Sequence, residues 1–82
     1  MLSTEEFKRC AQEYMDMVFR VAFSCLRSQA DAEDVTQEVL LRLYETDYVF
    51  ESRAHIKNWL VKVTYNECRK FWRRLWRRHE NI

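Results

Sequence analysis

Neither glycine nor proline occurs in this chain of 82 residues. Glycine enters left-handed backbone regions without steric cost and proline presets turn geometry. Their joint absence removes the usual material of hairpins, phosphate-cradling loops and strained nucleophile elbows. What remains is helices joined by short polar connections, so the expected fold class is all-α. At this length the chain makes one domain, 1–82, whose single core leaves only a few kcal/mol of net stability.

The three cysteines, Cys10, Cys25 and Cys68, are odd in number and share no metal-ligand spacing, which argues for reduced thiols rather than a disulfide framework or a zinc site. No apolar run reaches the roughly 18 residues that a membrane span requires, and no secretory signal is present, so the expected setting is cytoplasmic. The formal net charge of +1 conceals a strong asymmetry. Residues 1–50 carry ten acids against five bases, whereas residues 51–82 carry nine bases against three acids. One small domain therefore offers two surfaces of opposite sign.

Ser3 followed by Glu6 forms a capping box, and Phe7, Cys10, Ala11, Tyr14, Val18, Val21, Ala22 and Cys25 recur at helical spacing, predicting a first helix over 4–26. Polar residues 27–31 break the period. Asp31 is the expected cap of a second helix over 32–46, with Ala32, Val35, Val39 and Leu43 inward. The opposite face of that helix gathers Asp34, Gln37, Glu38, Leu41 and Glu45. It reads either as a solvated helix face or as an interface with an apolar centre and a charged rim.

Residues 46–53 lose periodicity, and a third helix is expected over 54–78, roughly 37 Å long and too long for the other two to cover. Its expected core stripe is Ile56, Trp59, Leu60, Val63 and Phe71. Asn58, Lys62, Asn66, Arg69 and Arg73 recur on another face, bordered by Tyr65, Trp72 and Trp76. Cations neutralise phosphates, amides bond base edges and aromatic rings stack on exposed bases, a combination suited to single strands. Trp59 reads as a core residue, and His55 and His79 as surface or loop residues without a partner at ligand spacing. The basic end around Trp76 also fits a solvated tail or an anchor on an anionic membrane surface.

The run Asp-Ala-Glu-Asp-Val-x-Gln-Glu at 31–38, then Trp-Leu-x-x-Val-x-x-Asn-x-x-basic from Trp59 to Arg69, resembles region 2 of the extracytoplasmic-function group of bacterial sigma factors. The likeness spans roughly residues 4–78 and is strongest over Asp31–Leu43 and His55–Arg74. It implies a three-helix region 2 bundle with a long C-terminal helix. It further implies a transcription initiation domain that binds core RNA polymerase and recognises and melts the promoter minus-ten element as single-stranded non-template DNA. Asp34, Gln37, Glu38 and Leu41 would meet the clamp helices of the β′ subunit. Phe50, Ser52, Arg53 and His55 would form a pocket for an extruded base, and Asn58, Lys62, Tyr65, Asn66, Arg69 and Arg73 would follow the strand.

Lys70 stands where many family members carry an acid, which puts in doubt the intramolecular ion pair that the resemblance implies at that position. The C-terminal region 4 domain of the family has no counterpart in these 82 residues. An anti-sigma factor is a further implied partner, and the alternative function is a protein-interaction module captured by such a regulator with little DNA binding alone. No nucleophile–base pair, clustered carboxylates or metal-ligand set is apparent, so neither catalysis nor a cofactor is expected.

Overall fold

The computed structural model describes residues 2–80, with side chains through Trp76; those of residues 77–80 lie outside the described ones. Three helices make up the fold, α1 (Thr4–Leu26), α2 (Gln29–Glu45) and α3 (Arg53–Glu80), and no strand occurs among the described residues.

A serine opens each helix. Around α1 the capping box is complete: the Glu6 N–H donates to Ser3 Oγ at 3.1 Å and the Ser3 N–H donates to Glu6 Oε1 at 3.2 Å. Those bonds hold the Glu6 carboxyl below its usual range. Ser28 accepts from the Asp31 N–H at 3.3 Å, and Ser52 from the His55 N–H at 3.1 Å. The expected start of the second helix is corrected here: Ser28, not Asp31, is the cap, and the helix begins at Gln29 and ends at Glu45. The polarity of residues 29–31, which breaks the apolar period, is what a solvent-facing first turn requires. Asp31 takes the third helical position, where its charge favours the helix dipole.

At the end of α1, Arg27 adopts φ 57° and ψ 25°, and its N–H donates to the Phe23 carbonyl at 2.8 Å. This left-handed cap is ordinarily a glycine position, and with none in the chain an arginine bears a steric cost of roughly 1–2 kcal/mol. In exchange the connection to α2 is only Arg27 and Ser28.

Phe7 near the start of α1 meets Tyr44 near the end of α2 edge-on, with ring centroids 5.1 Å apart, so these helices run antiparallel. Glu13 of α1 pairs with Arg53 at the start of α3 at 3.4 Å, while Arg42 late in α2 meets Glu67 midway along α3, so the third helix runs alongside α1 and against α2. Tyr14, Val18, Ala22 and Leu26 from α1, Ala32, Val35, Val39 and Leu43 from α2, and Leu60 and Cys68 from α3 form the buried core. Complete burial of Val18, Val39, Leu43 and Leu60 contributes about 1.5–3 kcal/mol each before the entropy of ordering is set against it.

The inner stripe of α3 differs from the expected one. Leu60 is buried as expected, but Ile56, Trp59, Val63 and Phe71 are only half-buried at its margins, and the rest of the buried face is Thr64, Glu67 and Cys68. Thr64 resolves its polarity locally by donating to the Leu60 carbonyl at 2.6 Å, as Thr36 does to Ala32 at 2.7 Å, which leaves each methyl free to pack. Burial and the adjoining Cys25 thiol push the Cys68 thiol up to about 11, so Cys68 remains protonated at neutral pH.

Candidate functional site

α2 presents Asp34, Gln37, Glu38 and Leu41 on one exposed face turned away from the core. Leu41 keeps 48% of its surface in solvent amid carboxylates, the arrangement of an apolar centre with a charged rim. Glu38 is partly engaged, 3.7 Å from Arg42 one turn on. The face borders a cleft of about 800 Å³ between α2 and the later turns of α3. Asp31, Asp34 and Glu38 make one wall, Lys70, Arg73 and Arg74 the other, with Val35, Phe71 and Leu75 between them.

The connection between α2 and α3 is an aromatic cluster. Phe50 packs edge-on against His55 and Trp59, with centroids 5.5 and 5.4 Å away, and Tyr48 lies 5.5 Å from Phe50 and 5.2 Å from His55. His55 sits in the first turn of α3, and its Nδ1 accepts from the Glu51 N–H at 3.1 Å, so the remaining ring proton belongs on Nε2. The histidine read from sequence as lacking a partner is thus fixed by backbone and ring contacts. Phe50 and His55 are brought together; Ser52 is committed to its cap, and Arg53 is drawn toward Glu13 of α1. The Tyr14 hydroxyl, donating to the Arg53 carbonyl at 3.5 Å, ties the same turn to α1. Tyr48 was not singled out from sequence, although it is 53% exposed at the rim of the cluster.

On α3, Asn58, Lys62, Tyr65, Arg69 and Arg73 are exposed, and Asn66 is half-buried. From His55 to Arg73 the stripe runs for about 27 Å at 1.5 Å per residue. Arg69 Nη2 donates to Asn66 Oδ1, joining a cation and an amide on this face. Trp72 and Trp76 are also exposed, so the core does not account for them. Glu67 is the single carboxylate of α3 among the described side chains, and it is buried, so the outward face is uniformly basic and amide-bearing.

Sequence reasoning missed Glu67. Its carboxylate lies 2.6 Å from Arg42 Nε on α2 and 3.4 Å from Lys70 Nζ on its own helix. Lys70 is therefore ion-paired after all, to a neighbouring acid on the same helix. The available signal was an acid set among bases, spaced three residues from Thr64, four from Phe71 and seven from Leu60. Among the described residues, no three His, Cys, Asp or Glu side chains gather as a metal site, and no helix is long and apolar enough to cross a membrane.

The domain is all-helical, with an acidic, apolar-centred face on one helix and a basic, amide and aromatic face on another. Residues 10–78 match Sigma-70 region 2, and the chain belongs to that family. Its members are transcription initiation domains that bind RNA polymerase and recognise promoters; they are not an enzyme family. No solved structure matches the chain.

Proposed function

We propose that this domain is region 2 of an extracytoplasmic-function sigma factor that docks on the β′ clamp helices of core polymerase and melts the minus-ten element by holding its non-template strand. Asp34, Gln37, Glu38 and Leu41 make the polymerase contact. Phe50, Ser52, Arg53 and His55 receive an extruded base, and Asn58, Lys62, Tyr65, Asn66, Arg69 and Arg73 track the strand. The observation that carries this reading is the aromatic cluster at the head of the α3 stripe: Tyr48, Phe50, His55 and Trp59 gather where the basic face begins.

Extruding a base costs a few kcal/mol of lost stacking, which ring contacts and phosphate neutralisation offset. The uniform sign of the α3 face attracts either strand, so discrimination falls to the loop. The reading places the domain in the cytoplasm, where polymerase works. The half-exposed Leu41, with Tyr44 one turn away, also favours a protein partner on α2, and an anti-sigma factor would compete there with polymerase.

The test is titration of labelled non-template minus-ten strands of different sequence at two salt concentrations. Base capture gives a spread of affinities that persists at the higher salt; affinities that fall together, with no dependence on sequence, refute it. Weak, sequence-indifferent strand binding beside tight binding of a purified anti-sigma factor would instead select the interaction-module reading.

A further inference from the structure

We infer that Cys25 and Cys68 form an oxidation site, a dithiol that a hydroperoxide converts to a reversible disulfide fastening α3 to α1. The inference stands apart from the two-face reading above. The two residues lie far apart in sequence, and the fold brings them together. The Glu13–Arg53 ion pair and the Tyr14–Arg53 hydrogen bond set α1 and α3 side by side and parallel at one end. Cys25 lies 12 residues beyond Glu13 and Cys68 lies 15 beyond Arg53, so both reach the same level to within about one turn. There the two thiols share a hydrogen bond, at the margin of the core cluster. Residues that face each other across packed helices have Cα atoms within roughly 4–6 Å, the span that a disulfide bridges. A single buried cysteine packs as a small apolar side chain and needs no further role. A second free thiol against it, from another helix, gives the pair its chemistry.

The two sulfurs take different parts. Cys25 is only half-buried and is the one a small oxidant reaches, whereas Cys68 is buried and its thiol, pushed up to about 11, is a poor first nucleophile. Cys25 Sγ, as thiolate, attacks one peroxide oxygen and breaks the O–O bond. The hydroxide released takes up the thiol proton as water, and Cys25 becomes a sulfenic acid. Cys68 Sγ then attacks Cys25 Sγ, and its proton leaves with the sulfenic oxygen as a second water. The sulfurs give up two electrons and the O–O bond accepts them, so two thiols and one hydrogen peroxide become one disulfide and two waters. A small dithiol reverses the step by exchange. The bridge closes a loop that contains all of α2 and the connection after it, and so restrains α3 against the rest of the fold. Cys10 lies about 22 Å from Cys25 along α1 and takes no part.

The test treats the full chain carrying Cys10→Ser, which excludes bridges between chains through Cys10, with graded hydrogen peroxide. The intact mass is expected to fall by two hydrogens, and peptide mapping to join the α1 peptide bearing Cys25 to the α3 peptide bearing Cys68. The melting temperature followed by circular dichroism should rise by about 10 °C, and dithiothreitol should reverse all three changes. Cys25→Ser in the same background is expected to show neither the link nor the rise. Should Cys10→Ser not fold, the wild-type chain at high dilution gives the same readouts. Oxygen added to either sulfur without a Cys25–Cys68 link overturns the inference, as do free thiols that survive excess peroxide and bridges that form only between chains. A Cys25–Cys68 bridge that lowers the melting temperature overturns its fastening role.

Discussion

The outward faces of α2 and α3 are built for different kinds of recognition. The α2 face is two turns long, with carboxylates around a half-exposed leucine. Burial of Leu41 supplies its non-electrostatic attraction, and the rim charges set orientation, so its partner must fit in shape and register. The α3 face extends about 27 Å and offers cations, amides and rings without a described carboxylate. Its attraction is long-ranged, weakly directional and sensitive to salt. On the proposed reading, one face selects its partner by fit and the other gathers its partner by charge.

The sharpest way to break that contrast is to remove what the faces share. Leu60 is fully buried where α3 meets the rest of the core. Leu60→Ala is expected to cost about 3 kcal/mol, most of the stability of a domain this small, and to abolish both binding activities together. A melting curve followed by both binding assays checks this.

Next in size is the double change Lys62→Ala with Arg69→Ala. Strand affinity at low salt should fall about tenfold, and the slope of log affinity against log salt should flatten by about 1.4, with polymerase binding unaltered. An unchanged slope would remove α3 from the contact with phosphates. Asp34→Ala is expected to weaken polymerase binding by about fivefold while leaving strand affinity and its salt slope intact, as measured by fluorescence anisotropy. A variant that weakens both partners equally would dissolve the distinction between the faces. The smallest effect sharpens the comparison by touching neither face: Arg27→Gly should relieve the left-handed strain and raise stability by up to about 1 kcal/mol, with both affinities unchanged.

Legibility in the sequence followed how local each feature is. The capping box at Ser3 and Glu6 is a four-residue pattern, and α1 runs where that pattern predicts. Ser28 bears the same relation to Asp31 as Ser3 does to Glu6, yet Asp31 is itself a good cap, and residue identities alone favour it. The outward stripe of α3 is legible because a regular helix carries spacing faithfully over many turns. Its inward stripe is not, because Thr64 and Glu67 count as non-core until their partners are known. Thr64 is neutralised by a carbonyl one turn back and Glu67 by an arginine 25 positions earlier on another helix. The aromatic cluster falls between these cases: Phe50 and His55 were singled out for the pocket, but the edge-on contacts joining them to Tyr48 and Trp59 depend on how the connection folds over the first turns of α3.

The two-residue connection through Arg27 and Ser28 also bears on how the chain acquires its structure. Because α1 and α2 are joined so closely, their contacts require almost no loop closure, and such helical hairpins assemble on the fast end of the folding timescale. α3 arrives across a longer connection and is fastened by contacts distant in sequence, Tyr14 to Arg53 and Arg42 to Glu67. The order expected from this is hairpin first and α3 last, with α3 the element expected to detach first when the native state opens locally.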